Sequence, residues 1–101
     1  PRAFYENRIM DSIIRKAIDS QACLEFIYKD SRRSVEPHTY GIHRSGKDAL
    51  CGWQSSGGSG EGFRLFLTAE ISDLTVGAAF AFPRPGYRRG DGQFQIIYCE
   101  L

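Results

Sequence analysis

The sequence predicts a mainly β protein of the α+β class: a small five-stranded antiparallel β-barrel with an N-terminal helix and a short C-terminal helix. Three observations carry this. A stripe of apolar residues at helical spacing occupies residues 8–19. Apolar alternation of period two then runs through five short segments between residues 22 and 80. Clusters of Gly, Ser, Asp and Lys separate those segments as turns would.

The helix is placed first. Ile9, Met10, Ile13, Ile14, Ala17 and Ile18 share one face, and Arg8, Asp11, Arg15, Lys16 and Asp19 take the other. Asn7 is the expected N-cap. The first strand follows in Cys23–Tyr28, with Leu24, Phe26 and Tyr28 on one face, and Lys29-Asp30-Ser31 reads as a turn. The second strand runs from Arg32 to His43. Pro37 interrupts it, so the strand must lie at an edge, bend or bulge there. After the turn 44–48 come a third strand, Ala49–Gln54, and an almost pure Gly/Ser segment, Ser55–Gly62, read as a mobile hairpin loop. Phe63–Thr68 is the fourth strand. Phe63, Leu65 and Leu67 share one side, and Arg64 and Phe66 the other. Ile71–Val76 is the fifth. Beyond residue 80, Pro83-Arg84-Pro85-Gly86 must be extended or turned. Asp91 then offers a cap for a last helix in which Phe94, Ile97, Tyr98 and Leu101 fall at i, i+3, i+4 and i+7. Such a helix has two to three turns and is marginal alone.

Length and composition bound the function. One domain is expected from 101 residues, divided into a capping helix (8–19), a barrel (22–80) and an Arg-rich tail (81–101). Hydrophobic residues at 42% and charged residues at 25% are those of an ordinary globular protein. The longest apolar run, Gly77–Phe82, is far short of a membrane helix, and no leader pattern opens the chain, so a cytoplasmic location without membrane contact is expected. The formal net charge of +1 is not the footprint of a general nucleic-acid binder, yet arginines outnumber lysines ten to three. Arginine favours phosphate and carboxylate through its planar fork.

Chemistry-bearing patterns are few. Cys23, Cys51 and Cys99 are scattered, and with His38 and His43 they show no metal-ligand spacing. No G-x-S-x-G, P-loop or H-E-x-x-H occurs, so no catalytic residue, metal or cofactor is expected and the chain is read as a non-enzyme. Gly57-Gly58-Ser59-Gly60 lacks the Lys-Ser/Thr of a phosphate loop. What remains is arginine alternating with apolar or aromatic residues, Arg33 with Val35 and Arg64 with Phe66, and Arg88-Arg89 after Tyr87. That pairing suits nucleotides and single strands, but exposed strand faces carry charges and buried ones carry aromatics in any small barrel.

In order, Ile14-Arg15-Lys16-Ala17-Ile18, Leu24-Glu25-Phe26-Ile27-Tyr28, Arg33-Ser34-Val35-Glu36-Pro37, Leu50-Cys51-Gly52-Trp53 and Phe63-Arg64-Leu65-Phe66 resemble a WYL domain from about Arg8 to Phe80. The naming triplet is reduced to Asp48-Ala49-Leu50, and Leu67 and Glu70 stand where the family usually carries arginines. The resemblance implies an SH3/Sm-like barrel that senses a nucleotide or single-stranded nucleic acid, in bacterial transcription regulation or in a CRISPR or phage-defence setting. Often such domains act within a homodimer. It also implies ligand-binding roles for Arg33 and Arg64, with Tyr28 and Phe66 shaping the pocket or packing beside it. Arg84, Arg88 and Arg89 form a possible second anion site. Arg33→Ala is expected to abolish binding with little change in stability. Only seven residues precede the expected helix, too few for a helix-turn-helix, so a stand-alone or excised domain is expected. The alternative is a dimerisation or docking module for a separate regulator, working through Phe94, Ile97 and Tyr98 with no ligand of its own.

Overall fold

The computed structural model describes residues 2–101, with side chains from residue 5 onward. Helix α1 spans Arg2–Ser20, six residues longer at its start than the Asn7 cap predicts. Nothing in residues 2–6 breaks a helix, and Ala3 and Glu6 favour one, so Asn7 lies inside it. Ile14, Ala17 and Ile18 are buried, with Met10 and Ile13 packed beside them. Ile9, at the flank of the stripe, is 60% exposed.

The strands are β1 (Ala22–Tyr28), β2 (Ser31–His43), β3 (Asp48–Ser56), β4 (Gly62–Leu67), β5 (Ser72–Ala79) and β6 (Phe94–Glu100). Lys29 and Asp30 both take positive φ, 50° and 61°, which twists the two-residue β1–β2 turn with its strands. All pairings are antiparallel in one sheet of order β4-β3-β2-β1-β5. A 3-10 turn at Thr68–Glu70 carries the chain from β4 to β5. β5 returns to β1 rather than continuing beside β4, so the sheet remains open between those two edges and does not close as the expected barrel would.

The C-terminal segment corrects the sequence reading. Phe94–Glu100 is a sixth strand, not a helix, and pairs with β2 from His43↔Phe94 to Thr39↔Glu100. Pro37 explains why. β1 pairs with β2 only as far as Val35, and the β2–β3 register slips between Pro37 and Thr39. Past this bulge one edge of β2 is vacant, and β6 fills it with backbone hydrogen bonds. Gly41 permits the close approach, because a Cβ there would run into the Ile96 carbonyl. The tail is therefore part of the sheet.

Two apolar clusters cover the sheet. The larger joins α1 to Leu24, Phe26, Tyr28, Val35, Tyr40, Leu50, Phe66 and Ile71. The smaller gathers Ala49, Cys51 and Phe94, with Phe63, Leu65, Leu67 and Ile97 against them. Alternation along β4 sends Phe66 to the first and Phe63, Leu65 and Leu67 to the second, as expected.

Candidate anion site at the glycine loop

The β3–β4 loop, residues 57–61, is built around three side chains from neighbouring strands. Arg33 on β2 donates from one Nη to Gln54 Oε1 and from the other to the Tyr28 carbonyl, both at 3.0 Å. Its guanidinium lies 5.6 Å from the Tyr28 ring centre and 5.9 Å from that of Phe66. Its Nε is buried without a partner. Gly58, at φ +50°, crosses directly over this guanidinium, where a Cβ would collide with it.

Gln54 at the end of β3 is fully buried. Its Nε2 donates to the carbonyls of Gly57 and Gly60, at 2.9 and 2.7 Å, which fixes the loop from inside. Arg64 on β4 folds back over the same loop. It donates to the carbonyls of Phe63 (2.9 Å), Gly60 (3.2 Å) and Glu61 (3.4 Å), and its Nε reaches Ser59 Oγ at 3.3 Å. The Gly60 carbonyl thus links Arg64 to Gln54, and Gln54 links to Arg33. Arg33 and Arg64, singled out by sequence, are brought onto one loop. Gln54 was missed because a lone polar residue closing a strand reads as solvent-facing.

The electrostatics of this end are unbalanced. Described ion pairs join Arg15 to Asp11, Arg32 to Glu25, Arg84 to Glu36 and Arg89 to Glu100. Arg33 and Arg64 have only neutral acceptors among the described residues, and the loop's own carboxylate, Glu61, forms an ion pair with neither. Tyr28 and Phe66 lie beneath the Arg33 guanidinium. They are 6% and 1% exposed, and meet edge-to-face at 5.0 Å. They support the Arg33 guanidinium from the core side. The Tyr28 hydroxyl accepts from the Leu67 N–H at 3.1 Å and donates to Glu70 at 3.4 Å, so Leu67 and Glu70 both touch this tyrosine.

Arg84, Arg88 and Arg89 do not gather into one site. Arg84 makes a bidentate pair with Glu36, both contacts at 2.8 Å, and lies 5.0 Å from the Trp53 ring centre. Arg89 pairs with Glu100 at 3.1 Å and donates to the Leu101 carbonyl. Arg88 is exposed and makes no ion pair among the described residues. Beside Arg84, the hydrogen bond and charge of its guanidinium hold the Glu36 carboxyl below its usual range. Burial lowers the pKa of His38, whose ring lies near Phe63, Phe80 and Tyr87.

The three cysteines are free, and burial pushes the Cys51 thiol up to about 11, well away from a reactive thiolate. Among the described residues, no group of three His, Cys, Asp or Glu side chains converges as metal ligands would. No helix among the described residues is long and apolar enough to cross a membrane. No family model, no curated protein and no solved structure matches the chain.

Proposed function

We propose that this chain is a non-enzymatic sensing domain, WYL-like in its sequence pattern, that binds phosphate-bearing ligands across the glycine loop between Arg33 and Arg64. The observation that carries the reading is the convergence of two guanidinium groups without carboxylate partners on Gly57–Gly60. Arginines held by neutral carbonyls keep their charge for a ligand, and the loop keeps them in place before one arrives. The open, curved sheet is read as a variant of the SH3/Sm-like barrel, with the β4–β5 gap beside the 3-10 turn. Nucleotides or short single strands fit the charge, and contact runs through phosphate, because Tyr28 and Phe66 are covered and offer no face for a base.

Fluorescence polarisation with short single-stranded DNA and RNA tests this. Two phosphate contacts on a single strand predict that affinity falls about sevenfold when salt rises from about 50 to about 200 mM. Arg64→Ala is expected to remove most of the binding and flatten the salt dependence. Equal binding by wild type and Arg64→Ala, or no binding at low salt, overturns the reading.

A second reading, a docking module, is favoured by one observation. β5 pairs with β1 on one side only, and no charged residue occurs between Asp73 and Arg84. Such an edge suits strand addition by a second copy or another regulator. Phe94, Ile97 and Tyr98 are engaged within β6 and do not form the helical surface first expected. A monomer at high concentration, with Val76→Lys unchanged in its elution, counts against this reading.

A further inference from the structure

On the opposite side of β4 from Arg64, the loop Gly86–Gln93 borders an open cleft of about 420 Å³. That lies within the range of roughly 300–1,000 Å³ typical of small-molecule sites. Its apolar lining comes from Phe63, Tyr87 and Cys51. Phe63 meets His38 and Trp53 edge-to-face, at 5.2 and 5.3 Å, which fixes its ring plane. The other wall is backbone, supplied by Gly86, Gly90 and Gly92. A Cβ at Gly90 or Gly92 would meet nothing within 4 Å, so a ligand can approach the chain itself there.

The loop is braced from outside. Arg44 Nε donates to the Gly92 carbonyl at 2.6 Å, and the Arg44 N–H donates to the Gln93 carbonyl at 3.0 Å. The Gly90 N–H donates to Glu100 at 3.2 Å. Glu100 also neutralises Arg89, which leaves Arg88 as the unpaired cation of the lining. Asp91 is the lining carboxylate. It accepts hydrogen bonds from the Gln93 N–H and side chain, but pairs with no arginine or lysine among the described residues.

We infer that this cavity binds a small planar ligand that carries one anionic group and an edge of hydrogen-bond donors, with a guanine mononucleotide as its type. Phe63 and Tyr87 supply the apolar contact, and Arg88 takes the phosphate. Asp91, an acceptor only, takes the donor edge. The Asp91 carboxylate disfavours a plain anion, and a base with an acceptor in that edge pairs with it less well than guanine. The site uses none of the residues of the glycine loop and stands independently of that reading.

Titration of the 15N-labelled chain with guanosine monophosphate, adenosine monophosphate and inorganic phosphate, followed by amide NMR, tests the site. Guanosine monophosphate is expected to shift the Gly86, Gly90 and Gly92 amides and to bind about tenfold tighter than the adenine analogue. Asp91→Asn should erase that preference, Arg88→Ala should weaken both nucleotides about tenfold, and Arg64→Ala should change neither. Gly92→Val, at a glycine without positive φ, should block the cavity while the remaining spectrum stays folded. The inference fails if the loop amides do not move, if the two nucleotides bind alike in the wild type, or if inorganic phosphate reproduces the shifts. It also fails if the shifts fall on Gly57–Gly60 and vanish in Arg64→Ala, a result that would support the glycine-loop site instead.

Discussion

The Arg84 backbone N–H donates to His38 Nε2 at 3.0 Å, and that bond dictates the state of the imidazole. Nε2 must be bare, so Nδ1 carries the proton and donates to the Glu36 carbonyl, 2.7 Å away. His38 is fully buried at the bulge after Pro37, and Glu36 on the other side of Pro37 holds the Arg84 side chain. Two residues of β2 thus pin the start of the tail, one through its backbone and one through its guanidinium.

This arrangement makes stability depend on pH in two stages. Burial holds the folded-state pKa of His38 below its ordinary 6.5, so the unfolded chain takes up the proton first. The His38 contribution is therefore complete above pH 6.5 and is lost as pH falls toward the lower folded value, where a second N–H would face the Arg84 amide. Glu36, held below its ordinary 4.5 by Arg84, contributes above that pH and is lost only as pH falls through its own depressed value. Thermal unfolding between about pH 8 and pH 5 should show a declining midpoint for the wild type. A flatter profile is expected for His38→Gln, whose amide oxygen accepts from Arg84 but does not titrate. Parallel profiles would remove His38 as the cause.

Gln54 is the second polar residue on which local order depends. Replacing it with Leu removes one donor from each of the Gly57 and Gly60 carbonyls, which keep the Gly60 N–H and Arg64, and leaves one Arg33 donor without its acceptor, at a cost of roughly 1–3 kcal/mol. Chemical denaturation measures the loss. Amide exchange should localise it to residues 57–61 and leave α1 protected. A uniform rise in exchange would indicate a general core defect instead.

The β6 assignment is open to an equally direct test. Gly41→Val places a side chain against the Ile96 carbonyl and should separate β6 from β2. The expected result is loss of protection at Ile96 and Ile97 while the β1–β2 hairpin stays protected. If Phe94–Glu100 were the helix its spacing suggests, Gly41→Val would leave that segment untouched.

These cases mark where the sequence is legible. The alternations in β1 and β4, the Lys29-Asp30 turn and the break at Pro37 are local signals, and the structure contains all of them. Phe94, Ile97, Tyr98 and Leu101 fit a helical stripe, but over only eight residues the same segment, rich in β-branched and aromatic residues, suits a strand. What decides is the vacant edge of β2, which no local window contains. His38 and Gln54 escape for a related reason, since a bulge turns the first inward and a loop folds over the second. Of the candidate site, the two arginines were legible by type, whereas the burial of Tyr28 and Phe66 beneath Arg33 was decided by packing across β1 and β4.

The two loop arginines should separate in their effects, and here the structure changes the first expectation for Arg33. Arg64 is bound only to the carbonyls of Gly60, Glu61 and its neighbour Phe63 and to Ser59, so Arg64→Ala should shift stability by less than about 1 kcal/mol. Arg33 covers the Tyr28 and Phe66 rings and satisfies the Tyr28 carbonyl and Gln54, so Arg33→Ala should cost roughly 1–3 kcal/mol and loosen the loop. Loss of ligand in that variant alone would confound binding with folding. Arg33→Lys keeps the charge but not the fork that spans Gln54 and Tyr28, and should bind more weakly than wild type while retaining more affinity than Arg33→Ala. Equal stability of Arg33→Ala and Arg64→Ala in urea would show that the Arg33 hydrogen bonds contribute nothing to the fold.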